Sequence, residues 1–302
     1  MHCGVFPVRY SIDKQIVVTG SEIVGVVPYQ ALLEAGRHYA KLQGKALGSP
    51  EGDVLALAVS SLGLSDVAPF EIDKKVLGRP TFGPKALVSM TVADFTDEVS
   101  RETPAPGGGS IAALAGSLGA ALASMVANLT YGREGTESRD EALGKMAESA
   151  QRVKAELLRA VDDDTNAFNA FMEARRLPQS TPEEKAARTA KMQEGLKIAI
   201  DVPWRTAELS FEAMQLARDV AAIGNPNSLT DAAVGAQMGF AGVRGGLWNV
   251  VINLKDILDP AYVASMQERV RALLARAEAL VAEANRSADA RLDELLTAKK
   301  RT

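Results

Sequence analysis

The chain has 302 residues, with 34 Lys and Arg against 38 Asp and Glu, a formal net charge of −4. A mildly acidic chain has no broad grip on phosphate backbones, which argues against nucleic acid as its partner. Charged residues at 24% and apolar residues at 47% are in the globular range, and aromatics at only 5% beside abundant Ala favour close-packed helices over a β-sandwich. The one cysteine, Cys3, cannot form an internal disulfide, which points to a reducing compartment and so to the cytoplasm. The two histidines, His2 and His38, both lie near the start. Beyond them a Ser-His-Asp triad, a Cys-His dyad and an ordinary zinc site are excluded, so proton chemistry falls to carboxylates, Lys, Tyr or the backbone.

Met1 to Arg9 is too short and too weakly apolar for a signal peptide. Residues 1–80 read as a small partial α+β domain. Gln15 to Gly20 is a short β-branched run, Ser21 to Pro28 a second apolar stretch, Tyr29 to Leu42 has helical spacing, and Asp53 to Leu62 reads as a helix closed by Gly63. Val76 to Leu87, with Gly78, Pro80, Gly83 and Pro84, is the best linker candidate, and 81–90 is assigned to it. From 91 to 297 the pattern is helical, with a short tail at 298–302. Helices are expected near 92–101, 110–131, 138–175, 182–222, 229–257 and 261–297, with Pro203 kinking or interrupting the fourth. The fold class is mainly α, an antiparallel helical bundle preceded by the partial α+β domain.

The stretch from Gly107 to Gly132 lacks charge but is built of Ala, Gly, Ser and Leu, so a buried central helix is preferred to a membrane span. Ala112, Gly116, Ala120 and Ser124 recur every four residues and make a stripe that lets a neighbouring backbone approach closely. That helix is also a candidate for a subunit contact.

Pro104-Ala-Pro-Gly-Gly-Gly-Ser110 is the most distinctive string. Pro106, Gly107, Gly108 and Gly109 shape an approach whose N–H groups sit at the positive end of a helix dipole, with Ser110 as the expected N-cap. The same string is equally consistent with a flexible turn. Asp162, Asp163 and Asp164 fan around most of a helix, so at least one is expected to point inward, where burial raises a carboxyl pKa; the plain alternative is a solvated acidic face. Phe168 and Phe171 read as core. At Gly224 to Asp231, Ser228 and Asp231 resemble a capping box, while Asn225 and Asn227 add amides suited to a polar heterocycle. Asn249 and Asn253 share a face of an apolar run and need partners. Arg244, among glycines, needs a carboxylate from the protein or a ligand.

Val92 to Ser100, Pro104 to Thr130, Asp164-Thr-Asn-Ala-Phe168, Leu177-Pro178, Gly224-Asn225 with Ser228 and Asp231, and Asn249 to Leu254 together resemble formiminotetrahydrofolate cyclodeaminase. Val18 to Pro28, Ala31 to Gly36 and Ser61 to Phe70 resemble the C-terminal subdomain of glutamate formiminotransferase, which precedes it in the formiminotransferase-cyclodeaminase family. The resemblance implies a soluble enzyme that closes 5-formiminotetrahydrofolate to 5,10-methenyltetrahydrofolate with loss of ammonia. It needs no metal and no cofactor beyond the tetrahydrofolate substrate. Asp164 is the implied acid/base, with Asp162 second. The glycines and Ser110 would shape the folate pocket, and Asn225, Asn227, Ser228, Asp231, Arg244, Asn249 and Asn253 would contact the substrate.

The family's transferase histidine belongs to a subdomain that does not match here, so transferase activity is not expected. Many relatives carry Lys where this chain has Gln179. The implied partners are folate, mono- or polyglutamylated, and further copies of the chain as a homodimer or higher homo-oligomer, with no membrane. Alternative readings are a methenyltetrahydrofolate cyclohydrolase and a non-catalytic folate-binding or oligomerisation module.

Overall fold

A computed structural model describes residues 22–45, 48–80, 82–83 and 86–299. The Gln15–Gly20 run lies outside the described residues. In the first region, strand β1 (Val27–Pro28) leads into α1 (Tyr29–Leu42), followed by α2 (Glu51–Ser61), a single turn α3 (Ile72–Lys75) and strand β2 (Val76–Leu77). Tyr29, Leu32, Leu33, Val54, Leu55, Ala58, Leu64 and Val76 form its separate core. The expected linker therefore starts later than its Gly and Pro content suggests. Val76 and Leu77 pair in parallel with Val27 and Pro28, and Val76 is buried.

A short 3₁₀ turn at Leu87–Ser89 leads to α4 (Val92–Val99) and then to the bundle: α5 (Gly108–Thr130), α6 (Asp140–Arg175), α7 (Pro182–Ile223), α8 (Leu229–Leu254) and α9 (Pro260–Lys299). Breakers and apolar periodicity place these helices to within a few residues. α7 opens with a reciprocal cap, in which Thr181 accepts from Glu184 N–H and Glu184 accepts from Thr181 N–H. Pro203 does not interrupt α7, which runs through it as one helix of 42 residues. Neighbouring α8 packs hard on this point, since a Cβ on Gly246 would lie 2.7 Å from the Pro203 carbonyl oxygen.

α5 is the one helix among the described residues long and apolar enough to cross a membrane. Here 14 of its 23 residues are buried, as expected of a core helix. Its small residues explain the close crossings. A Cβ on Gly116 would collide with Ser210 Oγ of α7, and one on Gly119 would sit 2.7 Å from the Gly235 oxygen of α8. Two large cores flank it: one where α7, α8 and α9 meet, including Ile200, Phe211, Met214, Val243, Leu247 and Leu273, and one against α6, including Val126, Leu143, Ala147 and Val220.

Candidate active site

The N-terminus of α5 meets the middle of α6 at the glycine string. The helix begins at Gly108, with Gly107 as its extended N-cap, so Ser110 lies inside the first turn instead of capping it. Its hydroxyl is buried and engages α6, 2.8 Å from the Val161 oxygen, 3.3 Å from Asp164 Oδ2 and 3.3 Å from Thr165 Oγ1. Gly109 leaves room for the Asp164 carboxyl, which a Cβ there would overlap and turn aside. The carboxyl thus lies directly on the first turn of α5, where the helix dipole is positive.

The three aspartates divide as helix geometry demands. Asp163 is exposed, and burial and then the adjacent Asp162 push its pKa up. Asp162 accepts from the Leu87 N–H at 2.7 Å and the Val88 N–H at 3.4 Å, which fixes the 3₁₀ turn before α4. It is thus occupied in holding that turn. Asp164 is partly buried in a cleft, and burial raises its pKa above the ordinary carboxylate value, opposed by hydrogen bonds from the Ser110 side chain and backbone. Desolvation dominates because it penalises the charged form.

The cleft measures ≈ 260 Å³ and is walled by Pro104, Ala105 and Gly107 to Gly109 on one side, Asp164, Phe168 and Phe171 of α6, Leu196 and Ala199 of α7, and Asn249, Ile252 and Asn253 of α8. The structure therefore brings Gly107, Gly108, Gly109, Asp164, Asn249 and Asn253 together, with Ser110 beneath Asp164 and buried Pro106 within the approach. Asn249 Nδ2 donates to Gly245 O at 2.8 Å and Asn253 Nδ2 to Ala199 O at 2.7 Å. Phe171 packs against the main core, as the sequence suggests, and both it and Phe168 also line this cleft. Their spacing from Asp164, four and seven residues along one helix, is the signal that places them on its face.

Other candidates lie elsewhere. Asn225 donates its N–H to Thr130 Oγ1 at 2.8 Å, at the far end of α5. A helix of 23 residues is about 33 Å long, so Asn225, Asn227, Ser228 and Asp231 share no ligand with Asp164 within one chain. There Asn225, not Ser228, does the capping, accepting from the Asn227 N–H at 3.0 Å, and Ser228 makes no side-chain cap. Arg244 finds its carboxylate in Glu278, 2.9 Å away, and lies over the rings of Phe240 and Trp248. Gln179 is exposed in the turn after α6.

A larger hollow of ≈ 360 Å³ between α4, α5 and α6 is walled by apolar groups including Val88, Phe95, Leu114 and Leu158, with only Thr91 and Thr96 as polar side chains. It has nothing to orient a polar heterocycle. Among the described residues no group of three His, Cys, Asp or Glu is placed to hold a metal.

Residues 91–272 match the family model described as formiminotransferase-cyclodeaminase, and residues 8–79 match that of the formiminotransferase domain. The chain is 36% identical over 286 residues to the formimidoyltransferase-cyclodeaminase of Mus musculus, covering 94% of this chain and 53% of that protein. It is 37% identical over 273 residues to that of Sus scrofa, covering 89% and 50%. It thus spans about half the length of these relatives. A methenyltetrahydrofolate cyclohydrolase of Methylorubrum extorquens is 40% identical over 190 residues, covering 63% of this chain and 91% of that protein. The crystal structure of a formiminotetrahydrofolate cyclodeaminase from Thermotoga maritima superposes with a TM-score of 0.57 at 25% identity, over 68% of this chain and 98% of that one. With one family model spanning the helical bundle and another the region before it, the chain belongs to the formiminotransferase-cyclodeaminase family.

Proposed function

We propose that this chain is a formimidoyltetrahydrofolate cyclodeaminase, an ammonia-lyase of folate one-carbon metabolism that acts on the intermediate left by histidine breakdown. One observation carries the proposal: a carboxyl with a raised pKa, Asp164, lies in a polar cleft against the first turn of a helix, in a bundle without histidine. The chemistry asks for this. In 5-formiminotetrahydrofolate, N10 attacks the amidine carbon on N5. A new C–N10 bond forms, the C–N bond to the imino nitrogen breaks, and ammonia departs. The formimino nitrogen, a basic amidine, enters protonated as =NH2+; one further proton must reach it as it leaves and one must leave N10, so the positive charge ends on the methenyl product. A carboxyl whose pKa burial has raised supplies the first and takes up the second. Both nitrogens belong to one ligand, so holding its conformation removes the entropic cost of bringing them together. These proton transfers balance the reaction, and the proposal invokes no metal and no cofactor beyond the folate.

Asp162 is the weaker candidate because its oxygens already hold the Leu87 and Val88 N–H groups. Self-association is part of the proposal. Ile111, Leu118, Met125 and Leu129 are exposed and uncharged along one face of α5, which supports a homodimer or higher homo-oligomer formed through it. The single cysteine in 302 residues supports the cytoplasm as the location.

The test is turnover by the purified chain, following methenyltetrahydrofolate absorbance and ammonia release, with light scattering on the same sample to read its mass. Asp164→Asn is expected to slow product formation by roughly 10²–10⁴-fold. An unchanged rate would remove Asp164 from the chemistry, and a monomeric mass would remove the self-association. The second reading, methenyltetrahydrofolate cyclohydrolase, is favoured by the 40% identity to the Methylorubrum extorquens protein. Offering methenyltetrahydrofolate and watching for its hydrolysis without ammonia separates the two.

A further inference from the structure

Pro203 is buried in the interior of α7. Proline has no N–H, so the carbonyl of Ala199, four residues back, loses its helical donor, and the pyrrolidine ring crowds that oxygen away from the helix axis. Asn253 of α8 takes up the freed carbonyl, its Nδ2 donating to Ala199 O at 2.7 Å. Both residues line the cleft that holds Asp164. Asn249, one turn earlier, uses its amide on Gly245 O of its own helix at 2.8 Å, a contact any helix interior offers. Asn253 instead crosses to another helix, at a carbonyl that a proline has made available.

A side-chain amide has two N–H groups and one carbonyl oxygen. Tying one N–H to Ala199 fixes the plane of the amide, and when the N–H anti to Oδ1 makes that tie, the other N–H and Oδ1 stand side by side as a donor and an acceptor. The lactam edge of a tetrahydropterin offers the complement, an N3–H donor beside the C4 carbonyl acceptor. The cleft, at ≈ 260 Å³, is too small for the whole folate, and because it holds Asp164, the proposed acid/base, the ring that carries N5 is the part that must enter it. The head is therefore the part that meets Asn253.

We infer that Asn253 reads the lactam edge of the pterin, and that Pro203 is the positioning residue that aims it. The inference rests on the folate reading above and adds which edge of the ligand is recognised and by what device. It also accounts for a proline in the interior of a long helix, where it otherwise disfavours the fold.

Pro203→Ala restores an N–H aimed at Ala199 O and removes the ring, so the variant is expected to fold at least as well as the natural chain. Its KM for 5-formiminotetrahydrofolate should rise about tenfold with kcat within about twofold, the pattern of lost uniform binding. Asn253→Ala should do the same, and adding Pro203→Ala to it should change KM no further, because one route carries both effects. Calorimetry with tetrahydrofolate and its 4-amino analogue reads the edge directly. The natural chain should prefer the 4-oxo form about tenfold, and both variants should lose that preference. Additive KM effects, or a Pro203→Ala chain that keeps its KM and its preference, would overturn the inference while leaving the cyclodeaminase reading intact. A natural chain that prefers the 4-oxo ligand yet turns over no 5-formiminotetrahydrofolate would overturn the activity and leave the lactam recognition standing. A chain with neither loses both.

Discussion

The raised pKa of Asp164 carries a cost in stability. Burial is the main reason its pKa stands above the usual carboxylate value, while Ser110 pulls the other way. In the unfolded chain the same group titrates at about 3.9. The folded state therefore holds the proton more tightly. The resulting stabilisation is complete below the unfolded pKa and is lost as pH rises through the higher folded one. Asp164→Asn keeps the shape and removes the titration. We expect the melting temperature of Asp164→Asn relative to the natural chain to climb as pH is raised from about 4 towards neutrality, leaving a more stable but inactive protein near pH 7. Parallel pH-dependent curves for the two chains would mean that the carboxyl is not desolvated in solution.

Helix positions were legible because the apolar period and the Pro and Gly breakers act locally, and three adjacent aspartates forced one of them inward by geometry alone. Contacts set by helix crossings were not legible. Ser110 looks like a cap until Gly109 is seen to make room for Asp164. Asn225 and Asn249 look alike in sequence yet lie at opposite ends of the bundle. Glycines show the same divide, since the sequence does not say which are helix-weakening vacancies and which are contacts. A Cβ on Gly119 would sit 2.7 Å from Gly235 O and 3.0 Å from Gly239 N, both backbone atoms that cannot turn aside. A Cβ on Gly52 in α2 would meet nothing within 4 Å. Gly119→Ala is expected to lower stability by about 1–3 kcal/mol through overpacking. Gly52→Ala should raise it by up to about 1 kcal/mol through helix propensity. Denaturant midpoints of the two variants read both signs, and equal signs would show that the α5–α8 crossing relaxes freely.

The first region and the bundle have separate cores, yet one backbone oxygen joins them. Gly48 O accepts from Ser124 Oγ at 3.0 Å, Asn128 Nδ2 at 2.9 Å and Gln151 Nε2 at 2.8 Å, in the groove between α5 and α6. Three donors converge on an oxygen with two lone pairs, so the groove is built around this carbonyl more than the carbonyl happens to rest there. Glycine is needed at the contact, because a Cβ on Gly48 would collide with the Ala147 side chain and lie 2.7 Å from its backbone carbon. A second attachment is the turn at Leu87, whose side chain packs with Ala113, Ala160 and Val161 while Asp162 holds its N–H. Between the two attachments runs the Gly- and Pro-rich stretch after β2. Gly48→Val should therefore free the first region without unfolding the bundle, since the Leu87 attachment is untouched and the clash meets the second core at Ala147, on the side where the loop docks. The expected result is faster protease cleavage between β2 and Leu87, with amide exchange in α5 to α8 still slow away from the groove. Cleavage at the natural rate would mean that the region is held mainly by contacts other than the Gly48 carbonyl. Fast exchange throughout α5 and α6 would mean that the bundle depends on the docked loop to stay folded, and that its polar slot at Ser124, Asn128 and Gln151 cannot stand open to water.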